Sequence, residues 1–315
     1  MKTISIHFIL LLSGIVSFGQ ITTTKIAPKS KNPTKPYDSL KNFVGKDVNQ
    51  YLGQELYLKG KPESLREYGY EDFTTDYTQS RIGDKSVIYK CCDGYNSKYI
   101  DLAEKYFKVL EIIPHPKAKE DDLLYGKKSF LKLKEKESND IVYYEYDSDY
   151  EHSFPFVVVG YYIILKKRFL NREFITRGKN WISSEPMTEL TTGREVTFAP
   201  GTKWKCIDIT VEEKYFTLSL ILENDLGEKI PLSVDNTNNT YWVFTKEEAD
   251  KYKTKFGAED WNRILTGKVR IGFTEEMTIL SWGEPQKINK SSYGNQWIYD
   301  DQYLYFENGK LKSFN

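Results

Sequence analysis

The apolar runs of this chain are short and closely punctuated, and that rules out an all-helical build. ELYL, SVIYKCC, YFKVLEII, SFLKLKEK, DIVYYEY and FPFVVVGYYIILKK follow one another between Glu55 and Lys167. Turn residues part them: Gly60-Lys61-Pro62, Gly83-Asp84, Pro114-His115-Pro116, Gly126 and Ser138-Asn139-Asp140. Aromatic and β-branched residues fill the runs, which suits a pleated, half-buried surface. Such runs between Gly, Pro, Asn and Asp mark antiparallel strands. Residues 41–180 therefore read as one β-rich domain. SKYIDLAEKYF fits either a strand or a helix, because Ile100, Ala103 and Phe107 share a helical face.

A second β region is expected over 186–244, with TKWKCIDITV, KYFTLSLILEN and KIPLSVD as strands. Asp225-Leu226-Gly227-Glu228 is the turn between the last two. The two regions echo each other. FKVLEI at Phe107–Ile112 aligns with WKCIDI at Trp204–Ile209, and FLKLK at Phe130 with FTLSL at Phe216. The echo predicts one or two small antiparallel barrels of about five or six strands. Their strand rhythm resembles the SH3-like barrels of bacterial envelope proteins.

Residues 245–315 change period. Thr245 and Glu248 form a capping box ahead of Ala249, Tyr252 and Phe256 on one helical face. Gly257 breaks that helix, and Trp261, Ile264 and Leu265 mark another, stopped by Gly267. A third begins at Thr274, carries two Glu in its first turn and ends at Trp282-Gly283-x-Pro285. QWIYDD, QYLYFEN and KLKSFN then alternate as strands, with Asn308-Gly309 as a type I′ turn.

This order of landmarks resembles the BamE family, the SmpA/OmlA domain of outer-membrane assembly lipoproteins. The landmarks are Gly272-x-Thr274-x-Glu276, Trp282-Gly283-x-Pro285, Gln296-Trp297-x-Tyr299 and Tyr305-Phe306-x-Asn308-Gly309-Lys310-Leu311. The resemblance implies two helices packed on a three-stranded antiparallel sheet. The fold class expected for the whole chain is mainly β, with a small α+β module at its C-terminal end.

The N-terminus sets the address. Lys2, the apolar stretch Ile4–Val16, and Ser17 and Gly19 before Gln20 have the order of a secretory leader over residues 1–19. No Cys stands at the cut, so lipid anchoring is not expected. Nothing approaches the roughly 18 apolar residues that a spanning helix needs. Residues 20–40, with Thr, Lys and Pro, read as a flexible linker. The expected location is the periplasm or the exterior, with outer-membrane association an open alternative.

Chemistry-bearing residues are scarce. Lys+Arg and Asp+Glu are both 45, so the basic excess of a nucleic-acid binder is absent. The three cysteines are Cys91, Cys92 and Cys206. Adjacent cysteines bridge only in strained geometry, which leaves a bond from Cys206 to one of the pair as the alternative. Cys91 or Cys92 with His115 or His152 would be the thiol–base pair of a hydrolase, though no local signature supports it. Glu145, Asp147, Asp149 and Glu151 alternate, and on a continuous strand would offer calcium one carboxylate face. Turn chemistry accounts for the same residues. No catalytic residue, metal ligand or cofactor is assigned.

Aromatics are what remain. Trp282, Trp297, Tyr299, Tyr303 and Tyr305 crowd the last module. Alternation puts Trp297 and Tyr299 on one face, and Tyr303 and Tyr305 on a face opposite Leu304 and Phe306. These five form the candidate surface for an envelope protein or glycan partner. The reading is a non-enzymatic interaction or scaffold protein. A cell-envelope hydrolase and a secreted enzyme inhibitor are its alternatives.

Overall fold

The computed structural model describes residues 36–79, 84–178, 187–196, 199–212, 216–234, 243–292 and 294–315. The expected leader and the linker up to residue 35 lie outside them. Strand outweighs helix, at 37% against 25%, so the chain is mostly β. No helix among the described residues is long and apolar enough to cross a membrane.

The strands in chain order begin with β1 (Glu55–Leu58), β2 (Phe73–Thr74), β3 (Cys91–Asp93), β4 (Asn96–Ser97), β5 (Tyr106–Pro114), β6 (Lys128–Glu135), β7 (Ile141–Asp147) and β8 (Phe156–Val158). Six of them form one antiparallel sheet in the order β2-β7-β6-β5-β1-β8, while β3 and β4 form a separate hairpin. Period-two alternation decides what goes inside: Val142, Tyr144 and Tyr146 of β7 are buried and their neighbours are not. The segment that fitted both strand and helix divides. Tyr99–Leu102 is a single helical turn, and Phe107 is a buried strand residue.

Helix α1 (Val159–Phe169) then leads to β9 (Glu173–Thr176). The β10 (Met187–Thr188) and β11 (Glu195–Val196) hairpin, β12 (Lys203–Val211), β13 (Leu218–Asn224), β14 (Lys229–Ser233) and β15 (Val243–Thr245) follow. The second sheet runs β14-β13-β12-β9-β15. β9 was expected with the first β region, yet it pairs with β12 and β15. Four residues carry too little pattern to name their partner.

The two sheets are copies of one design. Strands β7-β6-β5-β1-β8 correspond in order to β14-β13-β12-β9-β15. Leu56 faces Phe107 as Phe174 faces Trp204, and Tyr57 faces Val157 as Ile175 faces Phe244. A β-bulge interrupts β5 between Val109 and Glu111 and β12 between Cys206 and Asp208. Gly53 N donates to Val109 O at 3.0 Å as Asn171 N donates to Cys206 O at 2.8 Å. Gly53 and Asn171 both take a left-handed φ, 79° and 66°. Each copy closes with a short strand and an 11-residue helix. The register corrects half of the sequence echo. FLKLK corresponds to Ser219–Glu223, three residues past FTLSL. Phe216 lies before β13, with its ring where a Gly60 side chain would be.

The expected barrels are not separately cored. One apolar cluster extends from Tyr37 through both sheets to Val243. A second joins Phe244 to the C-terminal module. That module contains α2 (Lys246–Phe256), α3 (Ala258–Leu265) and α4 (Glu275–Trp282). Its sheet is β16 (Lys287–Ser291), β17 (Gly294–Tyr299), β18 (Gln302–Glu307) and β19 (Lys310–Phe314), paired in sequence order. Helix starts and stops fall where the sequence placed them. Thr245 and Glu248 make the capping box, Thr274 caps α4, and Gly283 exits it with φ 88°. The sheet has four strands where the resemblance implied three. β16 is exposed throughout and has a single strongly apolar residue, Ile288, so alternation does not announce it.

The cysteines also differ from expectation. Cys91 and Cys92 bond to each other across a cis peptide. Cys206 is free and buried in β12, its thiol donating to Asp208 O at 3.3 Å.

Candidate functional site

The five aromatics divide between the core and the surface. Trp282, Trp297 and Tyr299 are buried and offer nothing to a partner. The indole Nε1 of Trp282 donates to Gly267 O at 2.9 Å, and its ring meets Tyr299 edge-on with centroids 5.4 Å apart. The Tyr299 hydroxyl donates to Gly283 O at 2.8 Å, and burial pushes its pKa up. Trp297 packs on Phe306 at 4.5 Å. Trp282 and Tyr299 join α4 and the loops flanking it to the sheet, and Trp297 packs within the sheet. The polar edges of Trp282 and Tyr299 have partners inside the fold and the Trp297 ring is buried, so the expected docking role is corrected to a packing role for all three.

Tyr303 and Tyr305 are on the other face, 36% and 39% exposed. Leu304 and Phe306 point the opposite way into the core, as alternation required. Register sets Ile298 beside Tyr303 and Gln296 beside Tyr305. An amide chain crosses the same face: Asn289 Nδ2 donates to Gln296 Oε1 at 3.0 Å, and Gln296 Nε2 donates to the Tyr305 hydroxyl at 3.1 Å. The outer face thus offers two phenol rings, one aliphatic side chain and a fixed row of hydrogen-bonding groups.

The thiol–histidine pair does not assemble. Cys91 pairs with Ser97, which bridges to Tyr70, whose hydroxyl donates to Lys59 O just beyond β1. That is the end of the sheet where β5 begins. His115 follows the other end of β5, stacked on Tyr125 at 4.3 Å and on Phe130 at 5.4 Å. The nine residues of β5 put about 25–30 Å between them at the usual rise per residue. Burial lowers the pKa of His115. His152 sits in a single turn after β7, its ring edge-on to Tyr150 at 5.5 Å.

The acidic run divides as well. β7 stops at Asp147, so the four carboxylates share no strand face. Glu145 pairs with Lys128 at 2.8 Å, and Asp149 pairs with Lys127. Among the described residues, no group of three or more His, Cys, Asp or Glu side chains is placed to hold a metal.

Two clefts open where the second sheet meets α2. One, of about 310 Å³, has Ile175, Ala249, Trp261 and Leu265 as its apolar floor and Asp250, Lys253 and Asn262 at its rim. The other, of about 410 Å³, lies among Asn171, Arg172, Glu173, Lys246, Glu247 and Asp250. Its charges are mutually paired: Arg172 with Glu247 at 2.5 Å and Lys246 with Asp250 at 2.5 Å. Neither cleft was expected from the sequence. The one available signal was Ala249, a small residue on an otherwise aromatic helical face.

Compared with known protein families, curated proteins and solved structures, the chain matches none.

Proposed function

We propose that this is a secreted, non-enzymatic recognition protein of a bacterial cell envelope, acting in the periplasm or outside the cell. The leader order at residues 1–19 supports that address. The two sheet copies are read as SH3-like barrels. In support, each has its first strand between the last strand and a three-stranded meander. The C-terminal module is read as BamE-like, supported by α3 and α4 packing in one core with an antiparallel sheet.

The observation that carries the recognition role is the Tyr303/Tyr305 face. Large exposed rings beside an ordered amide row suit a partner that needs both stacking and hydrogen bonds. That partner is an envelope protein or glycan.

The test uses the full mature chain and its Tyr303→Ala/Tyr305→Ala form. Capture of envelope proteins and of purified envelope polysaccharide is compared for the two. Both tyrosines are surface residues, so the double variant keeps the wild-type circular dichroism and Tm to within a few degrees. Capture is lost with the double change and retained by Tyr299→Phe, which alters only a buried hydroxyl. Equal capture by wild type and the double variant would remove this face from the reading.

A further inference from the structure

The 310 Å³ cleft is lined at positions that carry larger side chains in the first lobe. Helices α1 and α2 each start directly after the closing strand of their copy, so their residues correspond one to one. Tyr162 and Ala249 are both fourth in their helix and both buried, 1% and 4% exposed. Leu165 corresponds to Tyr252, Phe169 to Phe256, and Lys166 to Lys253 on the same reckoning.

Two further positions agree. Tyr57 corresponds to Ile175 by strand register. Glu104 N donates to Leu58 O at 3.0 Å as Gly201 N donates to Thr176 O at 2.8 Å, so Glu104 corresponds to Gly201. Ile175, Gly201 and Ala249 all line the cleft. The first lobe holds Tyr57, Glu104 and Tyr162 at those places, each larger than its counterpart. These are near neighbours there as well: Tyr57 feels the charge of Glu104, and Tyr106 interacts with both Tyr57 and Tyr162. The cleft therefore opens where the second lobe has Ile, Gly and Ala in place of Tyr, Glu and Tyr, and α3, which the first lobe lacks, supplies its remaining wall.

We propose that the cleft between α2, α3 and β9 is a binding site for a phenolic ring, the group Tyr162 supplies in the first lobe. Its chemistry fits that occupant at each wall. Trp261 gives an aromatic side, itself packed on Phe244 at 5.1 Å. Lys253 stands where Lys166 stands, and Lys166 lies over the Tyr162 ring at 5.5 Å from its centroid. A ring in the cleft meets the same cation on its face. Asp250 and Asn262 at the rim give a hydroxyl its acceptor. A volume of about 310 Å³ is at the small end of ligand pockets, which suits a single ring. The ring can come from a tyrosyl side chain of a peptide segment or from a free phenol. The proposal does not rest on the Tyr303/Tyr305 face.

The test is a titration of the full chain labelled with 5-fluorotryptophan, read by fluorine NMR. Trp261→Phe assigns the Trp261 signal. The probe is p-cresol, the tyrosine side chain alone. Expected is a saturable shift of the Trp261 signal that weakens about two- to fivefold in Lys253→Ala. It disappears in Ala249→Tyr, which restores the first-lobe residue and raises Tm. N-acetyl-glycyl-tyrosyl-glycinamide in a parallel arm separates the two sources. A shift with both probes assigns a tyrosyl segment, and a shift with p-cresol alone assigns a free phenol. No saturable shift in wild type overturns the proposal, whatever the variants do. So does an equal affinity for cyclohexanol, or an undiminished shift in folded Ala249→Tyr. If that variant does not fold, Ala249→Val, a partial filling, takes its place under the same criterion.

Discussion

Replacing Glu189 with Gln removes one charge and leaves the shape of the side chain nearly intact. Glu189 is 3% exposed and sits in the turn joining β10 to β11. Its carboxylate accepts the backbone N–H of Thr191 at 3.0 Å, of Thr192 at 2.5 Å and of Lys229 at 3.2 Å. The last of these ties the hairpin to β14. Burial pushes the carboxyl pKa up, but the bonds from Thr192, Thr191 and Lys229 outweigh it and bring it to about 2. A gap from 4.5 to about 2, at about 1.4 kcal/mol per pH unit, corresponds to about 3 kcal/mol. The carboxylate is sealed from a water-sized contact, yet only a thin turn covers it. Solvent screening therefore reduces the figure to about 1–2 kcal/mol. The sign follows from the depressed folded pKa. The stabilisation is complete above about pH 4.5 and disappears as pH falls through about 2. Urea denaturation of wild type and Glu189→Gln, run from pH 7 to pH 2, reads it directly. The variant is less stable by about 1–2 kcal/mol at pH 7, and the two curves converge near pH 2. A difference that stays constant with pH, or no difference at pH 7, would refute the assignment of these bonds to an ionised carboxylate.

Burial pushes the Cys206 thiol up to about 12, so the native protein resists maleimide at pH 8 and labels only on unfolding. Cys206→Val installs the residue that Val109 supplies at the matching bulge, and costs less than about 1.5 kcal/mol by thermal denaturation. Thr245→Ala removes the side-chain half of the α2 capping box, the bond that Glu248 N–H donates to Thr245 Oγ1, and lowers stability by about 1 kcal/mol, measured in urea. Trp282→Phe removes the bond to the buried Gly267 carbonyl and destabilises by about 1 kcal/mol, while partner capture by the folded fraction is unchanged.

What the sequence made legible is what local periodicity and end signals encode. Alternation separated Leu304 and Phe306 from Tyr303 and Tyr305, and the structure keeps that division. Thr245, Thr274 and Gly283 bound helices because their caps are local hydrogen bonds and local φ values. Partner choice is a different kind of information. Nothing in Glu173–Thr176 states that it pairs with β12, because four residues alternate equally well in either sheet. The core position of Trp282 escapes local pattern for a related reason. Its direction follows from the Gly267 carbonyl, 15 residues earlier, which only the closed fold brings to it. The echo was legible at FKVLEI and WKCIDI, where both strands carry the same bulge. It failed at FTLSL because Phe216 serves contact between the lobes, which strand periodicity does not record.

The duplication also explains why counting aromatics does not find the cleft. Rings draw attention to where they are, and most of them are there to fill space: Trp282, Trp297 and Tyr299 are core. A cleft forms where a ring is missing. The first lobe fills the space under its helix with Tyr57 and Tyr162, and joins the second lobe in one continuous core. The second lobe has Ile175 and Ala249 at those positions and faces a module with its own core. Two copies of one backbone thus carry opposite side-chain choices at the same joint. In the first the choice closes the joint, and in the second it leaves about 310 Å³ open beside Trp261. Ala249 alone has no functional signature. It acquires one only against Tyr162, and that comparison exists only once strand register has aligned the two helices.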